Sequence, residues 1–593
     1  MSAARSPAES LLLAGSLCLL PFLLPYHQQP VLSFYPEWLA VALGTAAVLA
    51  ALAGREFPAV SWPVAARFLI AFALLLAFQA AYGGQAYSQP PLLGALYVLY
   101  AVLILWLGAQ LTSVYGLDRV AGVLAGFLLT GALANALAGV VQFYGRPALL
   151  EDVIAELRSS HAYGNIAQAN LYANYLALGE SALLFLWSRK RVRTVYALPA
   201  FALLILGSVL SSSRGAMLYA LWFAALGTLA GSVEDGNASR RLKLAAYGLA
   251  GASLVAQFAV PWMNAALGLR PPGEGAVERL LASPGEFVEL RPRAWLLALR
   301  VFLSAPIVGV GIGEFARASF DLGLDPSLTR SGQVWTSPHN LPLQLLAETG
   351  MVGAALALGG LSVWGWASAR LYCADRRIAS WWVGAAVGVE MIHSLTEFPL
   401  WNAHFLAVTA LLMGVGAAPS LPSARMSRPS RIAAALACAA LAAALALALR
   451  DYVRIDTTRV TGTTVTLASP ADAQRDAATM RGLTHGLMAP LAELQIVTGA
   501  SLDRSDLAVK LAMSERAARY WPSHVVLVRR AAFLAFSGET EQAQALLART
   551  LQAFPHQFDS AILILEQALA ADKAAIDPLL VAARGMRPSP GPR

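Results

Sequence analysis

Apolar runs of about 16 to 25 residues recur from Leu11 to Leu449, each near the length a helix needs to cross the hydrocarbon core of a bilayer. They fall at residues 11–25, 35–53, 64–81, 91–111, 119–143, 168–188, 194–210, 216–231, 244–262, 341–369, 379–393, 402–418 and 431–449, which predicts about thirteen spans. Membrane β-barrels show short alternating segments instead, so the expected fold is an all-α polytopic membrane protein. The first run has the look of a signal peptide. No small-residue cleavage site follows it and more spans come directly after, so it is expected to be retained.

Beyond Arg450 the pattern becomes that of a soluble helical domain. Arg519-Tyr-Trp-Pro522 and Gln552-Ala-Phe-Pro555 place a proline after an aromatic twice, 33 residues apart, with Ala531 to Leu546 between them. This spacing is close to the tetratricopeptide period and predicts at least one such helical pair. The pair serves either to hold protein or peptide on a concave surface or simply to cap the membrane part. The chain therefore divides into an N-terminal transmembrane region (1–262), a large loop (263–340), a C-terminal transmembrane region (341–449) and a C-terminal tetratricopeptide-like α-helical domain (450–593). Gly268 to Glu289, rich in Pro, Gly and Glu, and Arg587 to Arg593 are expected to be poorly ordered.

Composition agrees with a membrane protein: of 593 residues 57% are hydrophobic and 13% charged, and the mean hydropathy is +0.58. The net charge of +8 reflects arginines beside helix ends and implies no nucleic-acid partner. Short cytoplasmic loops collect Lys and Arg. Arg55, Arg119, Arg189-Lys190-Arg191, Arg240-Arg241, Arg376-Arg377 and Arg425 with Arg428 and Arg431 fall on one side when the N-terminus is cytoplasmic. The other side then holds the segment from Arg146 to Gln168, the Ser211 to Gly215 turn, the loop from Met263 to Asn340, the loop from His393 to Asn402, and everything after Arg450. Cys18, Cys373 and Cys438 are scattered, with neither metal-ligand nor disulfide spacing.

The unusual polar residues collect in those outer loops. A loop of roughly 75 residues exceeds what a connector needs, and it leads into Trp335-Thr-Ser-Pro-His339-Asn340 at the mouth of an apolar helix. His339 either satisfies backbone groups at a helix start or acts as a general base, the role histidine suits best near neutral pH. Arg214, in Ser211-Ser-Ser-Arg-Gly215, has no topological reason to lie outside and needs an anionic partner, a carboxylate or a ligand. Glu289-Leu-Arg291-Pro-Arg293-Ala-Trp295 leads through Pro306 into Gly309-Val-Gly311-Ile-Gly313. Trp295, Leu299 and Phe302 share one face of an expected amphipathic helix lying on lipid, which leaves Arg291 and Arg293 free. The glycine run matches no nucleotide fingerprint and reads as a tight turn. Two arginines from different loops suit a diphosphate, because guanidinium forks bind phosphate bidentately. No metal-ligand motif appears in the outer loops, so the arginines would carry the work of a metal. In the last outer loop, His393, Glu397 and Trp401 could orient the base or contact sugar, and Glu390 is expected to pair internally.

Ser212-Ser-Arg214-Gly215, Arg291-x-x-x-Trp295 with Ala298, Pro306-Ile-Val-Gly309-Val-Gly311, His339-Asn340 with Glu348-x-Gly350, and His393-Ser-Leu-x-Glu397-Phe-Pro-Leu-Trp401 together resemble the O-antigen ligase and polymerase superfamily. Within it the chain is most similar to bacterial protein O-oligosaccharyltransferases of the PglL type, whose Gly-Asn/x-x-x-Gln-x-Asn segment is matched by Gly164-Asn165, Gln168 and Asn170. The resemblance implies a GT-C-like transferase of the bacterial inner membrane, with its active site and C-terminal domain periplasmic. It would take a glycan from undecaprenyl pyrophosphate and join it to Ser or Thr of a protein such as a pilin, without metal or cofactor. It further implies that His339 is the catalytic histidine and that Arg214 with Arg291 or Arg293 binds the diphosphate. Asn165, Gln168, Asn170, Asn340, His393, Glu397 and Trp401 would face glycan or acceptor. The same motifs serve ligation to lipid A core or chain polymerisation. A transporter or flippase fits less well, since ionisable groups gather in outer loops and no repeat of spans is visible.

Overall fold

A computed structural model describes residues 6–27, 30–53, 62–230, 236–270, 287–322, 334–417, 427–457 and 481–586. Both stretches expected to be poorly ordered fall largely outside them. Every regular element among the described residues is a helix, and the chain forms two compact units.

The first unit comprises Met1–Ala71, Leu96–Ser283 and Leu356–Leu445. Its helices include α1 (Ser6–Leu17), α2 (Phe34–Ala53), α3 (Val64–Tyr82, which continues into the second unit), α4 (Gln89–Tyr115), α5 (Leu117–Tyr144), α6 (Ala169–Ser188), α7 (Thr194–Leu210), α8 (Arg214–Leu229) and α9 (Gly236–Ala266). Among the described residues seven helices are long and apolar enough to cross a membrane: α2, α3, α4, α5, α9 and two described below. The protein is thus a helical membrane protein, and several of the thirteen expected runs form shorter helices. α1, for example, ends at Leu17 and passes into a 3-10 turn at Leu20–Leu23. α9 shows how these helices are built inside out: Leu242, Ala246, Leu249 and Gln257 are buried, while Leu254, Phe258 and Trp262 form an exposed apolar stripe at four-residue spacing. Tyrosine and tryptophan tips reach carbonyls on neighbouring helices, as Tyr175 does to Cys18 O (2.8 Å) and Tyr100 to Ala40 O (2.7 Å). Cys18 and Cys438 are buried free thiols and Cys373 is an exposed one.

The second unit gathers Phe72–Ala95, Pro284–Ala355 and Ala446–Arg593. It contains α10 (Phe287–Ser304), α11 (Phe315–Leu322) and the first turns of α12 (Leu341–Asp375). α13 (Ile378–Ser394) and α14 (Ala403–Ala417) return to the first unit, and α15 (Arg428–Thr457) leads into the tail. α12 and α15 complete the seven. The tail runs as α16 (Ala489–Gly499), α17 (Leu507–Tyr520), α18 (His524–Phe536), α19 (Thr540–Ala553), α20 (Phe558–Leu569) and α21 (Lys573–Gly585), around a core of Phe533, Phe536, Leu547, Leu565 and Leu579. The aromatic-proline pairs stop α17 and α19. The tail is bonded to the other pieces of its unit: Tyr87 donates to Glu493 (2.6 Å), Arg516 forks onto the same carboxylate (2.6 and 2.9 Å), and Arg549 reaches Asp321 (3.3 Å). Burial first, and then Glu493, push the Tyr87 hydroxyl well above its usual range, so it remains a donor.

α12 is broken at Gly350, where φ is 63° and ψ −168°. The amides of Met351 and Val352 leave the helix for the carbonyls of Pro306 and Ile307 (2.8 and 3.2 Å). The carbonyls of Ala347 and Glu348 receive the amides of Val310 and Gly311 instead (3.0 Å each). The Glu348 side chain accepts from Gly313 N (3.0 Å) and Phe315 N (3.4 Å), so the glycine run is a tight turn whose amides are taken by the protein itself, Gly309 N by Ala305 O, Gly311 N by Glu348 O and Gly313 N by the Glu348 carboxylate. Gln79 of α3 closes the joint, donating to Val308 O (2.8 Å) and Glu348 O (3.2 Å) and accepting from Ile312 N (3.4 Å). A Cβ on Gly309 (φ 72°) would lie 2.2 Å from the Glu348 carbonyl carbon, and one on Gly350 would lie 2.3 Å from Ile307 O. Gly309→Ala and Gly350→Ala should each cost about 2 kcal/mol or more. The check is thermal unfolding in detergent, with Gly365→Ala, which meets nothing within 4 Å, as the neutral control.

Candidate functional site

The candidate residues form two clusters, one in each unit. In the first, the start of α6, the start of α8 and the end of α13 meet. Ser213 Oγ donates to Asn170 Oδ1 (2.9 Å), and Asn170 Nδ2 donates to Glu397 Oε1 (2.9 Å). The Glu397 amide turns back onto His393 O (2.8 Å), and His393 Nδ1 is hydrogen-bonded to the Tyr219 hydroxyl. One turn deeper, Asn174 Nδ2 faces Glu390 Oε2 at 3.4 Å, the internal pairing expected of that carboxylate. Arg214 is the first residue of α8, following Ser213 as N-cap and Ser212 in a left-handed conformation (φ 51°). A helix N-terminus carries partial positive charge, so a guanidinium there adds to the same field and favours an anion. Trp401 stands on the 3-10 turn Pro399–Trp401, 38% exposed. Gln168 presents a buried Oε1 without a hydrogen-bond partner, a side chain still able to accept from a ligand.

Asn165 differs from its neighbours in being bonded throughout to its own surroundings. Its Nδ2 donates to Leu23 O (2.9 Å) and Val153 O (2.7 Å), its Oδ1 accepts from Ala155 N (2.9 Å), and its own amide donates to Asn135 Oδ1 (3.0 Å). Asn165 has spent both amide hydrogens and its oxygen on the loop. Gln142 does similar work beside it, bonding Ala155 O, Gly164 O, Tyr163 N and Gly164 N at 2.8 to 3.1 Å.

The second cluster joins α10 to the mouth of α12. Trp295 Nε1 donates to Pro338 O (3.1 Å), which ties the arginine-bearing helix to the residue before His339. His339 is partly exposed, has φ 51°, donates its amide to Ser337 Oγ (3.1 Å) and meets the Trp335 ring edge-on at 6.2 Å. A non-glycine residue at positive φ is uncommon. Of the six such residues among those described, Ala167, Ser212 and His339 all lie in the candidate loops, the pattern of strain held at a functional site. Arg291 stands one turn before Trp295 on the same helix face, whereas Arg293 points about 160° away from both. Asn340 caps α12, its Oδ1 accepting from Leu343 N (3.1 Å). The lipid face expected of α10 is corrected. Ala294, Leu297, Ala298 and Val301 are the buried stripe, Leu296, Leu299 and Leu303 the exposed one, and Trp295 bonds the loop instead. Among the described residues no three His, Cys, Asp or Glu side chains form a metal-ligand group.

Sequence reasoning missed Tyr219, Gln79, Asn135 and Gln142. Each is a polar side chain on an otherwise apolar helix, which is itself a functional or structural flag. Asn170→Ala removes the link between Ser213 and Glu397 and should lower stability by about 1 to 3 kcal/mol, measured as a shift in detergent-phase unfolding.

Residues 175–358 match the family model described as O-Antigen ligase. Residues 381–564 match the one described as Virulence factor membrane-bound polymerase, C-terminal. Arg214, Arg291, Arg293 and His339 lie within the first match, and His393, Glu397 and Trp401 within the second. The chain is also similar to a General O-oligosaccharyltransferase of Acinetobacter baylyi, 28% identical over 447 residues that cover 74% of this chain and 75% of that one.

Proposed function

We propose, from the premise that this chain belongs to the O-antigen ligase and polymerase superfamily, that it transfers a glycan from undecaprenyl pyrophosphate to Ser or Thr hydroxyls of periplasmic proteins such as a pilin. The observation that carries the reading is the strained His339, set beside Trp295 on the helix that bears Arg291. The oligosaccharyltransferase similarity supports a protein acceptor. The match to the O-antigen ligase model favours lipid A core as the second reading.

In this mechanism His339 takes the proton from the acceptor hydroxyl as its oxygen attacks the anomeric carbon. The bond from that carbon to the diphosphate oxygen breaks with inversion. Arg214 and Arg291 stabilise the charge on the departing diphosphate. Arg291 is assigned ahead of Arg293 because it shares the Trp295 face. Asn170, Gln168, His393, Glu397 and Trp401 are assigned to glycan or acceptor. The chain sits in the bacterial inner membrane with its N-terminus cytoplasmic and its tail periplasmic.

The test is to incubate the purified protein with a lipid-pyrophosphate glycan and either a pilin or lipid A core, and to see which gains mass. His339→Ala should lower transfer at least about a hundredfold. Arg214→Lys and Arg291→Lys keep charge but lose the fork, and each should cost about a hundredfold; Arg293→Lys should cost far less. If both arginines hold one diphosphate, the double variant will lose less than the product of the two. Wild-type transfer by His339→Ala would end the assignment.

A further inference from the structure

His27 lies in the connection that follows the 3-10 turn after α1, and its ring is held by two backbone oxygens. Nδ1 is 2.8 Å from Leu32 O, and Nε2 is 2.8 Å from Asn165 O. A carbonyl oxygen can only accept, so each ring nitrogen must donate to make its bond. A neutral imidazole has one N–H; the imidazolium has two. In the neutral ring one nitrogen lone pair would face a carbonyl lone pair at hydrogen-bond distance, a repulsive contact.

We infer that His27 is a positioning residue that clamps the Asn165 loop only when its ring carries both protons, making the geometry of the loop from Gly164 to Asn170 depend on pH. The inference rests on the reading above for its effect on catalysis but not for the clamp itself. Apart from the His27 bond, Asn165 is fastened by groups that do not titrate: Leu23, Val153 and Ala155 of the backbone, and the Asn135 side chain. His27 therefore adds the single proton-dependent tie in this knot. Three residues beyond Asn165 stands Gln168, and Asn170 carries the bonds to Ser213 and Glu397. Of the titratable side chains around the ring, His404 of α14 is close enough to feel its charge, and it is buried at 5% exposure. Tyr26, next to His27, is 55% exposed. Among the described residues the ring's hydrogen-bond contacts are the two carbonyls, not a carboxylate.

The sign follows directly. The clamp is closed while the ring carries both protons and opens when it loses the second. His339, as general base, produces a limb of opposite slope, so wild-type transfer should rise and then fall with pH. Three proteins discriminate: wild type, His27→Lys, whose ammonium offers donors at every pH in the range, and His27→Phe, which offers none. Two readouts are taken on the full-length protein in detergent from pH 5 to 8. One is transfer; the other is hydrogen exchange of the peptide covering residues 153–168, corrected for the intrinsic pH dependence of exchange. The clamp predicts that wild type loses protection as pH rises, by about tenfold for one hydrogen bond. His27→Lys should stay protected throughout, and His27→Phe should be unprotected throughout. In transfer, His27→Lys should keep the acid limb and lose the alkaline fall. Equal and pH-independent protection in all three proteins overturns the inference, as does a pH-dependent loss that survives in His27→Phe. Should no transfer occur at any pH while protection follows the pattern, the clamp stands and the transferase reading falls.

Discussion

Where a helix breaks in an apolar protein, the backbone groups it releases must be bonded again within the chain, because no water stands ready to take them. α12 breaks at Gly350, and the break is closed by the segment from Pro306 to Gly311, whose Val310 and Gly311 amides donate to Ala347 O and Glu348 O and whose Pro306 and Ile307 carbonyls accept from Met351 N and Val352 N. This exchange fixes the end of α10 against the first turns of α12. The middle of α10 is held by Trp295 on Pro338. With α10 held at its end and its middle, the arginines near its start and the histidine at the mouth of α12 are carried on one packed body.

The same joint explains why the second unit is assembled from three distant pieces of chain. Gln79 reaches the joint from the end of α3, and Tyr87, a few residues further on, reaches Glu493 of the tail. Glu493 is almost fully buried, and a carboxylate in that position needs several donors. Arg516 provides two and Tyr87 a third. Phe320 and Val334, from the long loop, pack with Leu527 and Ala553 of the tail, and Arg549 lies over the Phe320 ring. The tail is therefore part of the body that carries His339 rather than an appendage tethered by α15.

Hydropathy alone made the helical membrane fold readable, and motif order made the family readable; what neither could give was the use of each polar group. Asn165, Gln168 and Asn340 sit in motif positions expected to face glycan or acceptor, and His339 in one expected to hold the base. The bonds of Asn165 to Leu23 O and Val153 O, and of Leu343 N to Asn340, are contacts that motif position alone does not convey. The face of α10 was misjudged because Leu299 follows Trp295 by one turn, yet Leu297 and Val301, between and beyond them, are the buried pair. Hydrophobicity was equal on both stripes, and only the tertiary partner chose. Tyr219 on His393 and His27 on Asn165 join residues more than a hundred positions apart, a distance over which no local pattern carries information.

A division of labour among the polar residues follows from the cost of burying charge. A side-chain amide both donates and accepts and carries no net charge, so it can weld irregular backbone at the edge of lipid without the penalty an ion would incur. Asn135, Gln142, Asn165, Gln79 and Asn340 all bond irregular backbone in this way, and together they shape the loops of both clusters. Two carboxylates share the work where several donors converge or a side-chain amide meets them: Glu348 accepts from Gly313 N and Phe315 N, and Glu397 accepts from Asn170. Neutral amides therefore carry most of the loop bonding, and the carboxylates among them are each bonded to donors of the protein itself.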